Sequence, residues 1–124
     1  MRVLVVTSDV PFVEGGHRVI ARALVCALHE AGHTAEIVTT PQNRFGRQLS
    51  AYWATWLTDV QVAGDGGPVD QVVSLRFPSY AVRHPNQVVW LNHRMREYYD
   101  LWDDFSAGLN RKARLVEAVR RRAL

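Results

Sequence analysis

The residues best suited to chemistry in this 124-residue chain fall in three short stretches. In the first, Thr7-Ser8-Asp9 brings small polar groups to the end of the apolar run Val3–Val6. Pro11 then forbids further ladder pairing, and Gly15-Gly16 lets the backbone turn and approach a ligand closely. A helix beginning at the diglycine aims its first amides at this loop, where they can hold an anionic group such as phosphate. In the second stretch, Pro78 closes a strand over Asp70–Leu75 and leaves Arg76, Ser79 and Tyr80 beyond its end. In the third, Asn92-His93-Arg94 follows the run Val88–Leu91. Parallel pairing of the apolar runs puts all three stretches on one carboxyl edge, where open α/β sheets bind ligands. Taken alone, His93 reads more readily as a strand-end histidine bonded to a neighbouring carbonyl than as a site residue.

The elements that must position these residues follow from periodicity. Val3–Val6 is uninterrupted by polar residues, which suits a strand covered on both faces. From about Gly16 to Ala31, the residues Ile20, Ala23, Leu24, Ala27, Leu28 and Ala31 recur at three and four, predicting a helix with that buried stripe. Arg18, Arg22, His29 and Glu30 lie off the stripe, and Gly32 ends the helix. Ala35, Ile37, Val38 and Thr39 form a second strand, so the unit is βαβ with a right-handed crossover expected. A second helical pattern places Phe45, Leu49, Tyr52, Trp53, Trp56, Leu57 and Val60 on one side. Their spacing favours packing on the sheet over a sugar-stacking platform. Gly64-Asp65-Gly66-Gly67-Pro68 is a loop, without the Lys-Ser or Lys-Thr of a P-loop. A short helix is expected over Met95–Phe105, and a last one from about Arg111 to Ala123 with Leu115, Val116 and Val119 as its apolar line. The fold class expected is α/β: a Rossmann-like parallel sheet of about four to five strands flanked by helices.

Composition narrows the function classes. Apolar residues at 48% with charged residues at 22% describe an ordinary globular chain, not a disordered one. The formal charge of +3 points only weakly to nucleic acid. Six of the fifteen basic residues crowd into one terminal segment, where they read as a solvated helix face. The single Cys26, beside the helical stripe, suits plain packing and a reducing compartment. No apolar run suggests a signal peptide or a membrane span, so cytoplasm is the expected location. His29 and His33 are four apart, but Gly32 separates them and no further ligands cluster nearby, so no metal site is expected. A set of Ser8, His93 and Asp100 lacks the nucleophile elbow that frames a catalytic serine.

Three features together are more specific. They are Val10-Pro11-Phe12-Val13-Glu14-Gly15-Gly16-His17-Arg18 with a helix ending in Glu30-Ala31-Gly32-His33; then Phe77-Pro78-Ser79-Tyr80 with His84-Pro85-Asn86; then Val88-Val89-Trp90-Leu91-Asn92-His93 with Arg96 and Tyr99-Asp100-Leu101-Trp102. In this order they resemble the amino-terminal portion of the retaining glycosyltransferase family 4, which folds as two facing Rossmann-like domains (GT-B). The resemblance implies transfer of a sugar from a nucleotide-sugar donor to a sugar or lipid acceptor with retention of configuration, and with neither metal nor other cofactor. It implies that Gly15 and Gly16 lie beside the donor diphosphate. His93 is then the catalytic-site histidine, bonding a sugar hydroxyl or orienting the acceptor. Asp9, His17, Ser79, Tyr80 and Arg94 become acceptor-side candidates.

Two departures matter. Arg94 and Met95 follow His93 where such enzymes tend to carry Gln and a second His, and no two glutamates are eight apart. The expectation is therefore that residues 1–124 are part of an acceptor-side domain, without the donor-binding domain and inactive alone. Two other readings stay open. One is a stand-alone nucleotide- or phosphate-binding module of flavodoxin-like form. The other is a non-catalytic half whose missing domain is a second chain, with exposed apolar surface at the sheet edge.

Overall fold

The computed structural model describes residues 1–13, 15–41, 47–90, 107–108 and 110–123. Glu14, Phe45, Asn92, His93, Arg94 and the helix expected over Met95–Phe105 lie outside the described residues. The chain divides into two compact units, Met1–Asn92 and His93–Leu124.

The first unit is built on four parallel strands: β1 (Arg2–Ser8), β2 (Thr34–Thr40), β3 (Gln71–Ser74) and β4 (Gln87–Val89), in the order β2-β1-β3-β4. This is the Rossmann-like α/β arrangement that the apolar runs predict. Val5 pairs with Ile37 on one side and Val73 on the other, so β1 is flanked by strands along its length. Its alternate residues serve opposite faces. Val5 packs with Leu75, Ala21, Ile20, Leu24, Val25 and Leu28 beneath α1 (Gly16–Glu30). Val6 packs on the other face with Val60, Val69, Val72 and Val82. That two-sided cover explains why Val3–Val6 is uniformly apolar.

Helix α1 has the expected limits but is rotated from the expected stripe. Ala21 is buried and Val25 half-buried, whereas Ala23, Ala27 and Ala31 face solvent. Alanine is small enough to be tolerated on either side, so the larger Ile20, Leu24, Val25 and Leu28 set the face that packs. Cys26 is exposed, which corrects the reading of a packed thiol. The helix closes in a Schellman arrangement: His33 N donates to Leu28 O, Gly32 N donates to His29 O, and Gly32 takes φ +87°.

Helix α2 (Gln48–Leu57) buries Gln48, Ala51 and Thr55, while Trp53 and Leu57 are exposed. The expectation that its aromatic residues fill the core is thus only partly met. Tyr52 packs against Phe77 and Tyr80, with ring centroids 6.4 Å apart in each case. Trp53 and Trp56 instead meet edge to face at 5.5 Å, and the Arg83 guanidinium lies 4.2 Å from the Trp56 centroid. With Ala51 and Thr55 on its inner side, α2 packs with the Trp53 indole outside and the half-buried Trp56 under the Arg83 cation. At the amino ends of the strands, Arg2 donates to both oxygens of Asp65, and Gly66 turns at φ +80°.

In the second unit, α3 (Arg111–Ala123) has the expected limits and is capped by Asn110, whose Oδ1 accepts from Ala113 N at 2.8 Å. Among the described residues, no helix is long and apolar enough to cross a membrane.

Candidate functional site

The strand order reverses direction between β1 and β3: the chain passes from β1 outward to β2, then returns across β1 to β3 and β4. The connections leaving β1 and β3 therefore diverge at their carboxyl ends, which is where open α/β sheets bind ligands. From the β1 side come Asp9, Gly15, Gly16, His17 and Arg18; from the β3 side come Arg76 and the segment Phe77–Tyr80.

Asp9 is gripped by the first turn of α1. Its Oδ1 accepts from Arg18 Nε at 2.9 Å and from Arg18 Nη2 at 2.7 Å. The Arg18 guanidinium holds the Asp9 carboxyl below the usual carboxylate range. His17 Nε2 lies 3.8 Å from the same oxygen, too far for a hydrogen bond. Burial, reinforced by the nearby Arg76 cation, pushes the His17 imidazole below its ordinary value, so the ring is neutral near pH 7. Burial also lowers Arg76, partly offset by the attraction of Asp9. A guanidinium nonetheless stays charged. One carboxylate, two guanidinium groups and a neutral imidazole leave this cluster with a net positive charge.

The diglycine contributes in a different way. Gly15 is the N-cap of α1 in an extended conformation, with no side chain capping the helix and no acidic residue in the first turn. The positive end of the helix is thus left uncompensated by its own residues. A side-chain carbon on Gly15 would meet His17 Nδ1 at 2.9 Å, whereas one on Gly16 would meet nothing within 4 Å. Gly15 therefore makes room for the imidazole, and Gly16 keeps the approach to the helix start open. Between them and Asp9 the loop carries Phe12, fully exposed and held at φ +63°, a conformation that L-residues rarely adopt.

The other wall is fixed by buried hydroxyls. Ser8 Oγ donates to Phe77 O at 2.9 Å, Ser74 Oγ donates to Ser79 O at 3.2 Å, and Gln87 Nε2 donates to Ser74 Oγ and Tyr80 O at 2.8 and 3.2 Å. These bonds tie the 3-10 turn Ser79–Ala81 to β1, β3 and β4. Ser79 is fully buried and its Oγ exchanges hydrogen bonds with the Arg76 backbone, so its hydroxyl serves the turn. Tyr80 is half-buried, its ring packed at 5.8 Å against Phe77.

Among the described residues, the buried side-chain polar atoms without hydrogen-bond partners are His17 Nε2, Thr40 Oγ1, both amide atoms of Gln48, and Arg76 Nε. Every one belongs to a segment at or just beyond the carboxyl end of a strand: α1's first turn, the last residue of β2, the first residue of α2, and the end of β3. Buried polar groups are nearly always satisfied by protein or by ordered water, so these atoms on one edge can take bound water or another polar partner. Beside it, a groove of about 270 Å³ is lined by Thr7, Asp9, Arg18, Arg22, Ile37 and Thr39.

Sequence reasoning placed Asp9, Gly15, Gly16, His17, Ser79 and Tyr80 on this edge, and the fold brings their segments together there. It missed the Asp9–Arg18 pair, for which an acid and a base flanking a diglycine loop was the available signal. It also missed Thr40 and Gln48, which carried none. No group of three or more His, Cys, Asp or Glu among the described residues could hold a metal ion. No protein family, curated protein or solved structure matches the chain.

Proposed function

We infer that the chain supplies the acceptor-side wall of a glycosyltransferase site fed by a nucleotide sugar. The observation that carries this reading is the reversal of strand order between β1 and β3, at whose carboxyl ends His17 Nε2 and Arg76 Nε are buried without partners beside the start of α1, which no side chain caps. A diphosphate suits such a place. It accepts from the Arg76 guanidinium and from helix amides, and charge building on it as the sugar departs is stabilised by the same donors. Gly16 admits the diphosphate because it carries no side chain. His17, neutral, can donate to or accept from a sugar hydroxyl, and Thr40 and Gln48 offer further groups of both kinds. The sequence resemblance adds His93 as a residue near the transferred sugar and Arg94 on the acceptor side. On this reading a second domain, in the same polypeptide or another chain, completes the donor pocket.

Titrating UDP-glucose and GDP-mannose into the chain, followed by amide and imidazole NMR shifts, tests the reading. One of them is expected to bind with a Kd in about the millimolar range, as befits half a site. The shifts should concentrate on Asp9, Gly15, Gly16, His17 and Arg76, and no sugar should be transferred. Absence of binding, or shifts away from the carboxyl edge, would overturn it. Turnover by the pure chain would refute the half-site aspect.

A further inference from the structure

A helix on a globular protein normally turns its apolar stripe inward. Helix α3 does the reverse. Glu117 is buried and ion-paired with Arg120, while Leu115, Val116 and Val119 are 68%, 44% and 61% exposed. Val119 lies four residues from Leu115 and three from Val116, so the three share one side of the helix. The thirteen residues carry six cationic side chains and a single carboxylate, and Arg111, Lys112 and Arg122, on the side of the apolar trio, are exposed. A merely solvated face would gain nothing from the apolar trio, and a core-facing stripe would exclude the cations.

We propose that α3 is a docking element for an anionic lipid surface. Its Leu115, Val116 and Val119 side enters the boundary between headgroups and acyl chains, and the exposed Arg111, Lys112 and Arg122 on that side sit at headgroup level. Charge decides among occupants. A second copy of the same side would set Arg111, Lys112 and Arg122 against the same three cations, which repels. Nucleic acid would satisfy the cations but leave the apolar trio in water. An anionic bilayer satisfies both at once, because long Arg and Lys stems lie along apolar surface while their heads reach the phosphates. The helix is already formed and capped at Asn110, so this side is presented without further folding.

Sedimentation of the full chain with phosphatidylcholine vesicles, with and without phosphatidylserine, tests the proposal. Binding is expected only with phosphatidylserine and is expected to weaken in high salt. Two variants divide the contributions: Leu115→Ser with Val119→Ser, and Arg111→Gln with Lys112→Gln and Arg122→Gln. All five positions are exposed, so both variants should keep the parent circular dichroism spectrum. Each is expected to lower partitioning at least about tenfold. Failure to sediment, or equal binding to neutral vesicles, overturns the proposal. So does full binding by the serine variant. A gel shift with duplex DNA forms the counter-arm: DNA binding as strong as vesicle binding, and unchanged by the serine substitutions, would reassign the helix to nucleic acid.

Discussion

His17 is disfavoured in its charged form first by burial and then by the Arg76 cation, with Asp9 opposing both. Its folded pKa therefore lies below the unfolded value of about 6.5. Between those two values the unfolded chain binds more protons, so stability rises with pH there and is lost as pH falls below the unfolded value. Replacing Arg76 by Met removes one of two like charges and is expected to raise the His17 midpoint, read by imidazole NMR; an unchanged midpoint would leave burial and the Arg18 cation as the causes. Asp9 behaves in the complementary way. Its folded pKa is depressed, so its contribution is present above the unfolded carboxylate value and disappears as pH falls through the folded one. Arg18→Gln should bring the Asp9 midpoint up towards about 3.9. These two titrations separate the ion pair from the imidazole, although all three side chains meet at one carboxylate oxygen.

At the level of elements, the close of α1 and the centre of the sheet carry the clearest expectations. Gly32 at φ +87° should cost about 1–2 kcal/mol when replaced by Ala, because a side chain disfavours that conformation whatever space surrounds it. Leu75, fully buried against Val5 and Ala21, should cost about 2–5 kcal/mol as Leu75→Ala. Denaturant unfolding measures both. The contrast also shows what was legible in the sequence. Apolar runs bounded by Gly and Pro announced all four strands, and Gly32 announced the end of α1, because those signals are local. The rotation of α1 was not legible, since alanines at helical spacing are equally at home inside or out. Nor was the outward turn of Trp53, because periodicity reports that a stripe exists and not which neighbour it meets. Arg83 stacking on Trp56 is a tertiary contact that no spacing rule reveals.

At the scale of the molecule, strand order matters more than any one residue. Because β1 lies between β2 and β3, segments far apart in sequence deliver Asp9, His17, Thr40 and Arg76 to the same edge. The convergence of Asp9 with the Ser79–Tyr80 segment could be foreseen from parallel pairing alone. Which polar atoms would be left without partners could not, because that depends on packing. On the proposed function, Arg76→Met is expected to weaken about tenfold the binding of whichever of the two nucleotide sugars binds, through loss of a charged hydrogen bond. Isothermal calorimetry at two salt concentrations would check this, since the variant should also show a smaller salt dependence. The buried serine and glutamine bonds beneath Arg76 have a consequence for that affinity. They hold the Phe77–Tyr80 wall to three strands before anything arrives, so its loss of freedom is met during folding and not charged again on association. A ligand entering there need immobilise little besides itself.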